Sequence, residues 1–366
     1  MILTVLFYIL VATTAIQLIY FLCFSSILFL KKNKKPLEQI PVSVIICAKN
    51  EEKNLQHFLP SIINQKYSNF EIVLINDASS DDTLEIMKSF KVKYENIKIV
   101  NVKKNEAFWG NKKYALTLGI KAATNEHLLF TDADCKPVSK YWIETIIQNF
   151  SKEKTIVLGY GKYKFEKTFV NLLVRFETLL TAIQYFSYAK LGSPYMGVGR
   201  NLAYTKEDFF KTNGFISHIQ VRSGDDDLFI QEAATKTNTA ISLDVKSFTI
   251  SNPPLTLEEW FRQKRRHVST ASYYKFSHKV LLGLYFTSKL LFYPIAIILL
   301  FLMSWQIIAP IILLYFIGLF IVFGMSAKRL KEKKLVFFLP LLEVSLLLFQ
   351  FSIFITNTFS KPTHWK

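Results

Sequence analysis

The chain has 366 residues, 51% of them hydrophobic, and a formal net charge of +17. A mean hydropathy of +0.23 excludes an ordinary soluble enzyme of this size, and 20% charged residues exclude a bare membrane bundle, so a soluble domain carried on membrane spans is expected. The three cysteines, Cys23, Cys47 and Cys135, show no spacing suited to zinc or a disulfide framework, in keeping with a reducing cytoplasm.

Met1–Leu30 carries no charged side chain and is long enough to cross a bilayer as a helix. It lacks the basic start of a signal peptide, and the basic run Lys31–Lys35 follows it. It reads as an uncleaved anchor ending on the cytoplasmic side. Pro41–Cys47 (PVSVIIC) is a β-branched run, predicted as the first buried parallel strand, and Ala48–Glu52 then opens a helix. Phe70–Ile75 is the second strand, running into Asn76-Asp77-Ala78-Ser79-Ser80-Asp81-Asp82, with a helix from about Thr83. Ile97–Val102 is the third strand and Lys112–Ala123 the third helix. The fourth strand lies in His127–Pro137 (HLLFTDADCKP), where an apolar run stops at Asp132-Ala133-Asp134. Strands alternating with helices predict an α/β fold with a doubly wound, mostly parallel sheet.

After Pro137 the pattern loosens. Ile156–Tyr163 reads as a strand and Phe169–Lys190 as a long aromatic-rich helix. Gly192–Tyr204 is a Gly-rich loop entering a strand, and Ser223–Asp227 opens another helix. Leu255–His267 sets Leu257, Trp260 and Phe261 beside a basic face, which suits a helix in the membrane interface or an amphipathic surface helix. Three further spans are expected at about Leu284–Ser304, Ile307–Ser326 and Leu335–Thr356. The predicted layout is an anchor over 1–30, a cytoplasmic domain over 36–250, an interface-helix region over 255–280 and three transmembrane helices over 284–356. The basic loop Ala327–Lys334 then falls on the cytoplasmic side, so charge and crossing count agree. The clustered bases flank spans, which argues for a membrane surface rather than nucleic acid as their partner. Lys289 is expected to snorkel toward the cytoplasmic end of its span. Glu343, inside the last span, is expected to face protein and pair with a Lys or a Tyr hydroxyl.

Three acidic groups sit at predicted strand ends or helix starts: Asp77 with Asp81, Asp132 with Asp134, and Asp225–Asp227. Each alone also reads as a solvated turn. A parallel sheet gathers its strand ends into one crevice, and like charges gathered there are costly unless a cation or a proton-transfer role offsets them. Two hard oxygen ligands two residues apart suit Mg²⁺ or Mn²⁺ carrying a diphosphate. A separate carboxylate would take a proton from an attacking hydroxyl. Lys112 and Lys113 would lie near the phosphate, and Gln263 and Arg266 would close over it.

These motifs resemble, in order and over about Pro41–His267, the membrane-integrated branch of the family-2, inverting, nucleotide-diphospho-sugar glycosyltransferases. PVSVIICAKNEE is similar to the family's first strand and turn, which implies Ala48, Asn50 and Glu51 at the nucleotide sugar. INDASSDD implies Asp77 at the nucleotide. The run Asn111–Leu116 resembles its Lys-containing segment and implies Lys112. TDAD matches the metal motif and implies Asp132 and Ala133 at the donor and Asp132 and Asp134 at Mg²⁺ or Mn²⁺. Gly197–Tyr204 resembles the acceptor-side loop, implying Gly199, Arg200 and Asn201. SGDD resembles the acidic pair carrying the base, implying Asp226, or Asp225 in a register shifted by one. Gln263–His267 is similar to Q-x-x-R-W, with Gln263 and Arg266 retained and His267 in place of the acceptor-lining Trp.

The resemblance implies transfer of a hexose from a nucleotide diphosphate sugar to a lipid hydroxyl at the cytoplasmic leaflet of the cell membrane, with no nucleic-acid partner. A processive polysaccharide synthase is the alternative, and a non-catalytic nucleotide-sugar-binding scaffold the remaining one. The missing Trp and the small number of spans argue against a polymer synthase.

Overall fold

The structure is a computed structural model, and it describes residues 1–30, 39–103, 112–221 and 223–360. The basic run Lys31–Lys35 and Asn111 lie outside them. The chain divides into two compact units, one of helices (residues 1–30, 166–191 and from 255 on) and one α/β (39–165 and 192–254).

Helix α1 (Ile2–Ser25) opens the helical unit. The α/β unit begins with β1 (Val42–Ala48), α2 (Glu52–Ile63), β2 (Phe70–Asp77), α3 (Thr83–Lys93), β3 (Ile97–Val102), α4 (Lys112–Ala122) and β4 (His127–Phe130). The strands pair in parallel in the order β3-β2-β1-β4. The Val, Ile and Leu residues of β1, β2 and β4 are buried on both faces, as a sheet covered by helices requires. Val44, Ile46, Ile72 and Leu74 pack with Leu55 and Leu59 of α2 in the main core. In register, Ile45 of β1 lies opposite Phe130, so β4 stops where β1 continues to Ala48. That early stop leaves the acidic residues after Phe130 beside the carboxyl end of β1.

The unit continues with β5 (Cys135–Pro137), α5 (Trp142–Ile147), β6 (Ile156–Leu158) and β7 (Gly161–Tyr163). The run Ile156–Tyr163, expected as one strand, is therefore two, and they lie in different sheets. The chain breaks at Gly159, whose N–H donates to Asn201 O. A Cβ at Gly159 would meet the Asn201 side chain at 2.5 Å, so only glycine lets the chain pass there.

Helix α6 (Phe169–Lys190) belongs to the helical unit. The α/β unit resumes with β8 (Leu202–Thr205), α7 (Lys206–Lys211), α8 (Asp227–Ala233), β9 (Thr239–Ile241) and β10 (Thr249–Ser251). β8 pairs antiparallel with β4 and β6, and β9 runs parallel to β6. Among the described residues the large sheet is thus mostly parallel, and β5, β10 and β7 form a second, smaller one.

The helical unit is completed by α9 (Leu257–Val268), α10 (Phe276–Leu302), α11 (Trp305–Arg329) and α12 (Leu339–Phe359). Among the described residues four helices are long and apolar enough to cross a membrane: α1 with its 3₁₀ extension, α10, α11 and the run Lys333–Phe359. α10 starts eight residues before the expected Leu284, because hydropathy reads the apolar stretch and not the helix that continues beyond it. α12 starts later than expected, because Lys333–Phe338 is 3₁₀ and Pro340 is admitted only in the helix's first turn.

One expectation fails in this unit. Lys289 does not snorkel; it is 4% exposed. Its ammonium pairs with Glu343 and donates to the Tyr285 hydroxyl at 2.7 Å. Glu343 also accepts from the hydroxyls of Tyr293 and Tyr315, so it faces protein as expected. A charge held in the bundle by an opposite charge has no reason to reach for water.

Candidate active site

The carboxyl ends of β1 and β4, the start of α4 and the loops before β8 and α8 enclose one crevice. Ile45, Leu116, Phe130, Leu202 and Tyr204 make its apolar wall, and Lys112, Asp132, Gly199, Asp225 and Asp226 supply its polar groups. Phe130 stacks on Tyr204 with ring centroids 4.4 Å apart, which stiffens that wall.

Lys112 is the centre of the charge arrangement. Its Nζ lies 3.0 Å from Asp132 Oδ1 and 3.1 Å from Asp225 Oδ2. The expected phosphate-side lysine thus bridges two of the acidic groups. Burial works against the Lys112 charge, but Asp132 and Asp225 outweigh it and raise its pKa well above the usual lysine value. The adjacent Lys113 points elsewhere, since neighbours on a helix face about 100° apart. It is buried and donates to His218 O and Val221 O, at 2.7 and 2.9 Å, anchoring the segment that leads to Asp225. Burial lowers it to about 8.

Asp225 and Asp226 are adjacent but differ in environment. Burial would raise Asp225, yet the Lys112 charge and hydrogen bond outweigh it and hold Asp225 below the usual carboxylate value. Burial, reinforced by the Asp225 and Asp227 carboxylates, pushes Asp226 up to about 7. Asp226 is the N-cap of α8: its Oδ1 accepts from Asp227 N and its Oδ2 from Gly199 N, each at 2.8 Å. The Gly199 loop and α8 are joined through this one carboxylate. Gly224, before the pair, has φ +93°, and a Cβ there would meet Leu228 at 2.6 Å, so the turn into the acidic pair needs glycine.

Asp132 and Asp134 flank Ala133, which is 6% exposed. Ligand atoms of Asp132, Asp134 and Cys135 lie within 4.8 Å of one another. Burial, next to the Asp134 and Asp132 carboxylates, raises the Cys135 thiol well above its usual value. It stays protonated, and its Sγ sits 3.3 Å from Asp134 Oδ1 as a donor. The hard-cation donors are therefore the two aspartates, and an oxygen set fits Mg²⁺ or Mn²⁺ better than a thiophilic ion. Burial and the Asp132 charge raise Asp134, which a bound cation would reverse.

Asp77 ends β2 and is 5% exposed, with Lys49 Nζ 3.9 Å away. Burial raises it in spite of that lysine. Asp81, expected beside it, accepts instead from Thr83 N, Thr83 Oγ1 and Glu52 N, so it fastens α3 to α2. Asn50, in the left-handed region at φ +56°, accepts from Ser80 N at 2.8 Å and ties the β1 and β2 turns together. Glu51 N donates to Thr83 Oγ1, and Ala48 is 1% exposed at the end of β1.

On the expected acceptor-side loop, Gly199 reaches the crevice and Asn201 does not. The Asn201 side chain is fully buried, accepts from Trp142 Nε1 and donates to Tyr160 O and Ser247 O. Its amide is committed to the core, which corrects the expectation that it contacts an acceptor. The Arg200 guanidinium lies 4.2 Å from the Tyr163 ring and donates to Ser251 Oγ at 2.8 Å. Gln263, Arg266 and His267 are on α9 of the helical unit. There Trp260 stacks on Phe349 at 3.8 Å, Lys264 pairs with Glu177 at 2.7 Å and Arg265 donates to Asn357. Cys47 and Tyr204 also line the crevice and were not singled out from sequence. Cys47 occupies an inward-facing end position of a buried strand, and that position was the available signal.

Residues 43–214 match the family described as Glycosyl transferase family 2. An uncharacterized glycosyltransferase of Haemophilus influenzae is 37% identical over 130 residues, 35% of this chain and 38% of that protein. A 4,4'-diaponeurosporenoate glycosyltransferase of Staphylococcus haemolyticus is 34% identical over 113 residues, 31% of this chain and 29% of that protein. The chain thus spans well under half the length of these two relatives. A mannosyltransferase from Pyrobaculum calidifontis, solved with GDP-Man and Mn²⁺, shares the fold at a TM-score of 0.65 and 14% identity, over 98% of this chain and 99% of that one.

Proposed function

The chain carries a family-2 glycosyl transferase domain together with four helices suited to a membrane, and from that premise we propose that it is a membrane-bound, inverting glycosyltransferase. In this reading it moves a hexose from a nucleotide diphosphate sugar to a lipid hydroxyl at the cytoplasmic leaflet. The observation that carries the proposal is the crevice in which Lys112 joins Asp132 to Asp225, with Asp226 alongside. Neighbouring carboxylates with proton affinities pushed apart are the arrangement that assigns an acid–base role.

Asp226, near 7, accepts the proton of the attacking hydroxyl. Asp225 stays ionised beside Lys112 and orients it. As the hydroxyl oxygen bonds to the anomeric carbon, the bond from that carbon to the diphosphate breaks, which inverts the centre. Asp132 and Asp134 would hold Mg²⁺ or Mn²⁺, which when bound supplies neutralising charge to the diphosphate. Mn²⁺ in the Pyrobaculum structure is in keeping with this. Ala48, Asp77, Asn50 and Glu51 would meet the nucleotide, Gly199 and Arg200 the acceptor side, and Gln263, Arg266 and His267 would act from α9. The relative named for diaponeurosporenoate favours a lipid acceptor. His267, where a Trp marks polymer synthases, favours one transfer over polymerisation.

The test is nucleotide release by the purified full chain with candidate donors, extracted lipid and Mg²⁺ or Mn²⁺. Lipid-stimulated, cation-dependent release is the expected result. No release from any donor would leave the scaffold reading in its place, and a ladder of polymer lengths the synthase reading.

A further inference from the structure

The helical unit has one end unlike the other. The carboxyl end of α1 and the end of α11 meet there, since the Arg329 guanidinium donates to Leu28 O and Leu30 O. α10 begins at the same end, because Tyr20 of α1 donates to Leu281 O at 2.6 Å. The link from α11 into α12 closes it. Here Lys275, Lys279, Lys328, Lys331, Lys333 and Lys334 are all exposed. Glu332, in the same turn, is 1% exposed and paired with Arg175 of α6. Phe29, Tyr273, Phe276 and Phe337 stand 61–84% exposed around the same end. The other end is different: Leu290–Ala327, which contains the α10–α11 turn, has no charged residue.

Lys331 adds a second observation. It has φ +62° in the turn after α11, where Glu332 N donates to Ala327 O. A helix commonly ends with glycine in this left-handed position. A lysine there gives up that backbone ease and keeps a charge on the turn. Exposed aromatics around a lysine collar at the end of lipid-crossing helices match the level of phospholipid headgroups.

We propose that this end of the helical unit is a binding surface for the headgroups of anionic phospholipids, held by the lysine collar and bracketed by the exposed aromatic rings. The chemistry recognised is a phosphodiester with net negative charge at a bilayer surface. It does not depend on the glycosyltransferase reading, and its test reads lipid and stability rather than turnover.

The full chain is purified in neutral detergent and titrated with phosphatidylglycerol, phosphatidylcholine or glycerol phosphate. Melting temperature and lipids retained in native mass spectrometry are recorded. Phosphatidylglycerol should be retained in preference and should raise the melting temperature, and glycerol phosphate should not. Each lysine at an anionic surface multiplies binding about fivefold at low salt. The variant Lys275→Gln/Lys279→Gln/Lys328→Gln/Lys333→Gln/Lys334→Gln should therefore lose the preference while keeping phosphatidylcholine, and high salt should weaken the wild type toward it. Equal retention of both lipids by the wild type would overturn the proposal. So would a variant that keeps the preference, or a shift by glycerol phosphate as large as that by the lipid. A Lys331→Gly variant keeps the turn and separates charge from folding: it should melt no lower in detergent alone yet respond less to phosphatidylglycerol.

Discussion

Replacing Lys112 by glutamine removes the cation placed between Asp132 and Asp225, at 3.0 and 3.1 Å. The consequence follows from charge. Lys112 lowers the proton affinity of both Asp225 and Asp226. Without it, Asp225 rises from below its usual value, and Asp226 rises further from about 7. A base works only when deprotonated, so activity is present above the base's pKa and lost as pH falls through it. The acid limb of kcat/KM, expected near pH 7 in the wild type, should move up by about one unit in Lys112→Gln, the scale of a single close charge. With Lys112 proposed on the phosphate side of the site, its loss should also raise donor KM by about tenfold. The assay is nucleotide release measured across pH at saturating divalent cation. Lys112→Arg keeps the charge and should hold the limb near its wild-type place. An unmoved limb in Lys112→Gln, or one displaced to lower pH, would refute the charge argument.

Other consequences are as direct. Asn201→Ala removes three buried hydrogen bonds and should lower stability by about 2–4 kcal/mol in thermal melting, far beyond a surface change. In the membrane helices, Lys289→Met or Glu343→Gln alone strands a buried partner and should cost about 3–5 kcal/mol, while the double variant should recover most of it in detergent melts. Chelation with EDTA should abolish nucleotide release, Mg²⁺ or Mn²⁺ should restore it, and Asp134→Ala should show no restoration at comparable cation concentration.

The strand ends that carry chemistry were legible because each apolar run stops at a short acidic stretch, and a parallel sheet brings such ends together. The four apolar helices were legible from length and sparse charge. What escaped was set by tertiary contacts. Asn201 reads as a polar loop residue and only its three core partners reveal it as an internal strut. Lys112 and Lys113 are identical in composition, and a turn of about 100° sends one to the crevice and the other to the segment before Asp225. Lys289 looked free to snorkel until Glu343, 54 positions on in sequence, proved to be its partner. The two strands in Ile156–Tyr163 share one apolar pattern, and only the approach of Asn201 to Gly159 breaks them. The resemblance pointed to Asp226 with Asp225 one register away, and the two differ in the structure through Lys112.

The most direct measurement follows a donor labelled in its sugar, incubated with the full chain in lipid nanodiscs. Wild type, Asp225→Asn and Asp226→Asn are compared, with donor binding measured alongside. The account predicts label in organic-soluble lipid for the wild type, a loss of at least about a hundredfold in Asp226→Asn with donor binding nearly intact, and a smaller loss in Asp225→Asn. Label confined to nucleotide or to a polymer, or an Asp226→Asn protein as fast as wild type, would contradict it.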